Sequence, residues 1–272
     1  MRQIGSFVAL GDRFTEGIGD PYPDGSGDRG WADRFAERLA QDNPGLRYAN
    51  LAIRGKMLGQ VLDDQVPAAI SMSADLVSIA AGGNDLLRPR SDPDALAQQF
   101  DNAVGRLRAA GSQVLVITGF DTRTFPLLRL IRGKAAAYNM HLRVIAARRG
   151  CLLMDLWAMR VLADPREWAP DRLHMAPDAH RRVALRACEV TGLPVDQDWR
   201  DPLPPPRQPA RPAGPAGWVT ARRQDAQWAR EHAAPWVSRR LRGVSTGDGM
   251  LAKRPELLLL PAQPRQQAPP GQ

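Results

Sequence analysis

The segment FVALGDRFTEG, residues 7–17, decides the fold of this 272-residue chain. Its first four residues, 7–10, form an apolar run with the length and composition of a buried β-strand. Gly11 and Asp12 follow, and both are residue types that favour turns. The chain therefore reverses at the carboxyl end of a strand, which is the edge where open α/β sheets bind their ligands.

Four further runs predict strands, and amphipathic segments separate them. Most of the runs are continuously apolar, which is typical of strands covered on both faces. Strands that alternate with helices favour a parallel sheet with right-handed crossovers, so we expect an α/β fold in three α/β/α layers. The five predicted strands are Ile4–Leu10, Arg47–Ile53, Asp75–Ala81, Gln113–Gly119 and Cys151–Leu156.

Residues 11–17 resemble the opening motif of the SGNH/GDSL hydrolases, Gly-Asp-Ser-x-Thr-Glu-Gly. The matching positions are Gly11, Asp12, Thr15, Glu16 and Gly17. One position departs from the motif, because Arg13 stands where the family has its nucleophilic serine. The resemblance, to GDSL-like lipases and acylhydrolases of the actinobacterial type, implies a flavodoxin-like parallel sheet of five strands in the order 2-1-3-4-5.

Two further blocks of the family motif follow the second and third strands. Gly55 is the candidate for the backbone N–H of an oxyanion hole, although a turn glycine would look the same. Asn84, in the sequence Gly82-Gly83-Asn84-Asp85, is the candidate for the side-chain donor of the same hole. Such preorganised donors stabilise the negative charge that develops on an ester oxygen during hydrolysis.

The last block is Asp171-Arg172-Leu173-His174, which precedes a predicted helix at Pro177. By the resemblance, His174 is the general base and Asp171 the carboxylate that orients it. His180 invites a metal site with His174, but six residues do not share a helical face and no third ligand is evident. We expect no metal and no cofactor.

The composition divides the chain into three parts. The net charge of +8 is unevenly distributed, with +1 over residues 1–199 and +7 over residues 200–272. We predict a hydrolase-like domain over 1–199, a proline-rich linker over 200–217, and a basic tail over 218–272 with one helix candidate at 220–242 and a disordered end. The sequence contains neither an apolar run of membrane-spanning length nor a leader pattern, so we expect a cytoplasmic protein.

Arg13 leaves three interpretations of the function open. A guanidinium is permanently charged and does not act as a nucleophile, so an ester hydrolase with a Ser-His-Asp mechanism would be impaired. The second interpretation is a non-catalytic protein that binds an anion at Arg13, Gly55 and Asn84. The third is an interaction protein that acts through its basic tail. We expect a small-molecule ester or anion as the partner, rather than nucleic acid, and the oligomeric state stays open.

Overall fold

The structure, a computed structural model, describes residues 3–125, 128–205, 230, 247 and 249–261. One sheet of six strands runs through its centre in the order β5-β4-β3-β1-β2-β6. The strands are β1 Ser6–Gly11, β2 Arg47–Asn50, β3 Leu76–Ala80, β4 Gln113–Ile117, β5 Leu152–Met154 and β6 Arg254–Leu259. Strands β1 to β5 are parallel, which confirms the predicted fold class and the order 2-1-3-4-5.

Helices cover both faces of the sheet. The helices are α1 Arg13–Glu16, α2 Gly30–Asp42, α3 Leu58–Gln60, α4 Val66–Met72, α5 Gly83–Leu86, α6 Pro93–Ala109, α7 Arg132–Arg148 and α8 Pro177–Val190. A π-helical segment, Val61–Gln65, joins α3 to α4. Helices α2 and α8 pack on one face around Trp31 and Phe35, and α4, α6 and α7 pack on the other around Phe100 and Leu107. The two apolar clusters produce the three layers.

Strand β1 lies in the middle of the sheet because its side chains are apolar on both faces. All six of its residues are buried. Phe7 packs in the first cluster and Val8 in the second, so alternate side chains of one strand contribute to both halves of the core. This central position places the turn that follows β1 at the middle of the carboxyl edge of the parallel strands.

The sixth strand corrects the predicted count of five. Strand β6 comes from the segment expected to be a separate tail, and it pairs antiparallel with β2, with Tyr48 opposite Leu258. The division into domain, linker and tail stays a prediction, because nearly all of the linker, the helix candidate at 220–242 and residues 262–272 lie outside the described residues. Among the helices that the structure describes, none is both long and apolar enough to cross a membrane.

Candidate active site

The turn after β1 carries Arg13 into the first helical residue of α1. Asp12 caps this helix, since its side chain accepts a hydrogen bond from the backbone N–H of Phe14. Gly11 has φ of +150°, and a Cβ added there would lie 2.5 Å from the carbonyl oxygen of Ala80. Only glycine fits this turn. The turn therefore fixes where Arg13, two residues later, lies at the edge of the sheet.

Side chains from two neighbouring segments fix the turn. Gln65 holds the backbone of Gly11 from both sides, with its Oε1 2.8 Å from the N–H and its Nε2 3.0 Å from the carbonyl oxygen. Glu16 accepts hydrogen bonds from the backbone and the guanidinium of Arg54. The motif residues are therefore tied to the segments that follow β2. No motif points to Gln65, because it lies in a helical segment that the apolar spacing of the sequence does not reveal.

His174 and Asp171 form the predicted acid–base pair. The Nδ1 atom of His174 lies 2.5 Å from Oδ2 of Asp171, and Oδ1 of Asp171 accepts hydrogen bonds from the backbone N–H groups of Leu173 and His174. Burial raises the pKa of Asp171, but the hydrogen bonds from His174 and from the two backbone groups outweigh it and lower the pKa to about 2. Asp171 is thus a carboxylate at neutral pH and holds the Nδ1–H tautomer of His174.

Asn84 lies at the start of α5, but its amide is engaged. The two N–H groups donate to Oδ2 of Asp12 at 2.8 Å and to the carbonyl oxygen of Lys56 at 2.9 Å. One of these bonds must open before the amide can donate to an oxyanion. Asp12 differs from Asp171, since burial raises its pKa despite the neighbouring charge of Arg13.

Gly55, the predicted backbone donor, lies in a turn after β2. It has φ of +77°, a value that favours glycine and fits the simple turn interpretation. It is absent from the residues that line the cavity described next. Its assignment to an oxyanion hole stays a prediction.

A cavity of about 210 Å³ brings Arg13, Asn84 and His174 together. It lies at the carboxyl ends of β1, β3 and β4, and it extends between α5, α7 and the segment before α8. Apolar side chains form most of its wall; they include Leu86, Ile117, Phe120, Leu128, Leu142 and Trp168. The site therefore combines a few polar groups with an apolar chamber, as small-molecule sites do.

His180 also lines the cavity but has a structural role. Its Nδ1 accepts a hydrogen bond from the backbone N–H of Trp31, and its Nε2 lies 3.2 Å from the carbonyl oxygen of Ile18. Burial lowers the pKa of His180 to about 4, so the ring is neutral at pH 7. The two ring nitrogens therefore join α8 to the start of α2 and to the loop after α1. Among the described residues, no group of three potential metal-ligating side chains occurs.

The arrangement contains the His174–Asp171 pair but no serine at the motif position. Of the threonines in the cavity wall, Thr118 donates its hydroxyl to Asp155 at 2.8 Å. Thr122 has a buried hydroxyl without a hydrogen-bond partner among the described residues. Neither hydroxyl is bonded to His174, so the geometry assigns no replacement nucleophile.

Comparisons with known proteins identify the family and the fold. The sequence profile of the GDSL-like Lipase/Acylhydrolase family matches residues 9–182. The fold is similar to that of an alpha/beta hydrolase enzyme from the metagenome of Lake Arreo, Spain, with 22% identity over 69% of this chain and 95% of that one, at a TM-score of 0.59.

Two other solved structures show the same fold. An acetylxylan esterase from Geobacillus stearothermophilus has 21% identity over 71% of this chain and 97% of its own, with a TM-score of 0.59. The protein TesA has 24% identity over 68% of this chain and 97% of its own, with a TM-score of 0.56. The search of curated proteins found no match.

Proposed function

The chain belongs to the GDSL-like lipase/acylhydrolase family, and from this premise we propose that it is an ester hydrolase whose activity is strongly reduced because Arg13 replaces the nucleophile. One observation carries the proposal. His174 lines the same cavity as Arg13, and its Nδ1 lies 2.5 Å from Oδ2 of Asp171. This contact supports the role of His174 as the general base, and the motif position offers it no hydroxyl to deprotonate.

The size of the impairment follows from the chemistry. In a serine protease, loss of the nucleophile alone lowers kcat by about 10⁶-fold. The remaining groups of such a site accelerate hydrolysis only through binding and through oxyanion stabilisation. We therefore expect the protein to hydrolyse esters with a kcat on the order of 10⁶-fold below that of a site with an intact nucleophile.

The test is the substitution Arg13→Ser, assayed with 4-nitrophenyl acetate and 4-nitrophenyl butanoate. We expect the variant to hydrolyse at least one ester about 10²-fold faster than the unchanged protein, since His174 is already hydrogen-bonded to Asp171. The control is His174→Ala on the Arg13→Ser background, which should return the rate to background. A folded Arg13→Ser protein that shows no gain with either ester would refute the proposal.

A second candidate function is the binding of an anion at Arg13. It is favoured by one observation, namely that the Arg13 side chain makes no hydrogen bond or ion pair with any residue that the structure describes. A half-buried guanidinium that makes no ion pair within the described residues is free to form one, and a carboxylate or phosphate would supply the partner.

Thermal unfolding in acetate and in phosphate tests this second candidate. Either anion should raise the Tm of the unchanged protein more than that of Arg13→Gln, because linkage stabilises only the state that binds. Chloride at equal ionic strength is the control for the general effect of salt on the protein's charges. Equal Tm shifts in the two proteins would exclude an anion site at Arg13.

A further inference from the structure

Most polar side chains of the cavity wall already have hydrogen-bond partners within the protein. Asn139 both donates to and accepts from the backbone of Gly119, at 2.9 Å in each direction. Thr118, Asn84 and His180 also have partners within the protein. These side chains are used to hold loops in place, so they contribute little to the recognition of a ligand.

Arg13 and His174 differ from those side chains. Within the described part of the chain, neither the guanidinium of Arg13 nor Nε2 of His174 has a hydrogen-bond partner. Among the described residues that line the cavity, Arg13 is the only arginine or lysine and Asp12 is the only carboxylate. Because Asp12 already accepts from Asn84 and Phe14, the single charge that Arg13 brings is available for one monoanionic group.

The rest of the cavity favours an apolar group. On the side of α5 and α7 the wall includes Asn84, Tyr138 and Asn139, whose polar atoms are bonded within the protein, and otherwise presents mainly aliphatic side chains: Leu86, Leu87, Leu128, Ile131, Ala135 and Leu142. A small anion such as acetate would leave this wall in contact with water. A longer chain would bury it, and each added methylene group is expected to tighten binding about three- to fourfold.

We propose that the cavity binds an amphiphilic monocarboxylate, a short- to medium-chain fatty acid anion, with its carboxylate on Arg13 and its chain along the wall formed by α5 and α7. The inference rests on the proposed anion site and adds the apolar part of the ligand. An uncharged ester or alcohol of equal length fits the wall but leaves the guanidinium without a partner. Charge and chain length are thus both required.

The experiment is isothermal titration of the full chain with acetate, butanoate, hexanoate and octanoate below their micellar concentrations. We expect octanoate to bind at least about tenfold more tightly than butanoate. Octan-1-ol, the uncharged probe of equal length, should bind at least about tenfold more weakly than octanoate. Similar affinities for butanoate and octanoate would overturn the inference while leaving the anion site intact.

Three variants separate the two parts of the ligand site. Arg13→Gln should lower the affinity for octanoate at least about tenfold without lowering that for octan-1-ol, and Arg13→Lys should retain much of the octanoate binding. Ala135→Leu, which fills part of the wall, should weaken octanoate more than butanoate. If Ala135→Leu does not fold, the chain-length series with the unchanged protein decides the same point.

The remaining outcomes are also decisive. Octanoate binding that is equal in Arg13→Gln and in the unchanged protein would overturn both this inference and the anion site. The absence of binding by every acid would do the same. Neither result bears on the hydrolysis gained by Arg13→Ser, so a failure here is distinguishable from a failure of the impaired-hydrolase proposal.

Discussion

Glu167 is a buried carboxyl group beside the segment that carries the acid–base pair. Its side chain is fully buried, and its Oε1 lies 2.9 Å from Nε of Arg182, which also pairs with Asp178 at 2.7 Å. Burial and the charge of Asp178 raise the pKa of Glu167 to about 7, even though Arg182 opposes them. The backbone carbonyl of Glu167 accepts from Ala176, two residues after His174.

This shifted pKa predicts a pH-dependent stability. A carboxyl whose folded pKa is raised binds its proton more tightly in the folded state, so stability is lost as pH rises from about 4.5 to 7. The loss attributable to Glu167 amounts to about 3 kcal/mol at most. Glu167→Gln removes the titrating group, and we expect its free energy of unfolding, measured by urea denaturation, to fall less between pH 4.5 and 7.5 than that of the unchanged protein.

A matched control is Glu189→Gln. Burial opposes ionisation of Glu189, but hydrogen bonds from Arg200, Trp199 and Arg186 lower its pKa to about 2, so it does not titrate between pH 4.5 and 7.5. Its variant should therefore keep the slope of the unchanged protein. A Glu167→Gln profile parallel to that of the unchanged protein would show that Glu167 is not protonated at neutral pH.

Local signals predicted those elements whose causes lie within a few residues. Strand β1 was predictable because its run is continuously apolar. Helix α6 was predictable because Asp92 precedes Pro93, and the structure shows the Asp92 side chain accepting from the backbone N–H of Asp94. The Asp171–His174 pair was also predictable, since its two members lie within one turn of each other.

Two elements escaped prediction for physical reasons. In the segment 58–72 the π-helical turn at Val61–Gln65 inserts a residue, so the buried positions Leu58, Val61, Val66 and Ala69 depart from the spacing of an α-helix. Strand β6 has a weak local signal, because it contains Pro255 and its side chains are mostly exposed. Its formation depends on β2, which lies about two hundred residues earlier in the chain.

In the candidate site, too, some features were predictable from local sequence and others depend on long-range contacts. The resemblance to the family placed Asn84 and Gly55 in one oxyanion hole, on the order of the motifs alone. Whether an amide is available depends on long-range partners, and here Asp12 and Lys56 hold Asn84 while Gly55 lies outside the cavity wall. No local pattern in the sequence encodes these contacts.

At the scale of the whole molecule, an ion pair with a buried carboxylate joins the residue before β6 to the core. Lys253 Nζ lies 2.9 Å from Oδ2 of Asp33 and donates to the backbone carbonyls of Asp28 and Arg29. Asp33 is almost fully buried and accepts from the hydroxyl of Tyr48 at 2.6 Å. The strand therefore connects β2 to helix α2 and to the loop that precedes it.

This contact changes the stability expected of a shortened chain. The predicted separation of a domain over 1–199 from a linker and a basic tail implies that a chain ending near residue 198 would stay folded. The structure instead leaves Asp33 buried without its cation when Lys253 is removed, and breaking a buried ion pair in this way costs about 3–5 kcal/mol. For a domain of this size, 1 kcal/mol corresponds to a shift in Tm of about 2–4 °C.

The comparison that tests this uses two shortened chains, one ending at Pro261, which retains β6, and one ending at Met250, which lacks it. We expect the chain ending at Met250 to have a Tm lower by at least about 6 °C, because it loses both the strand pairing with β2 and the partner of Asp33. Lys253→Met in the chain ending at Pro261 keeps the strand and removes only the charge, so its Tm should lie between the two. Equal melting temperatures for the two shortened chains would mean that β6 contributes no stability and that the basic tail is separable from the hydrolase fold.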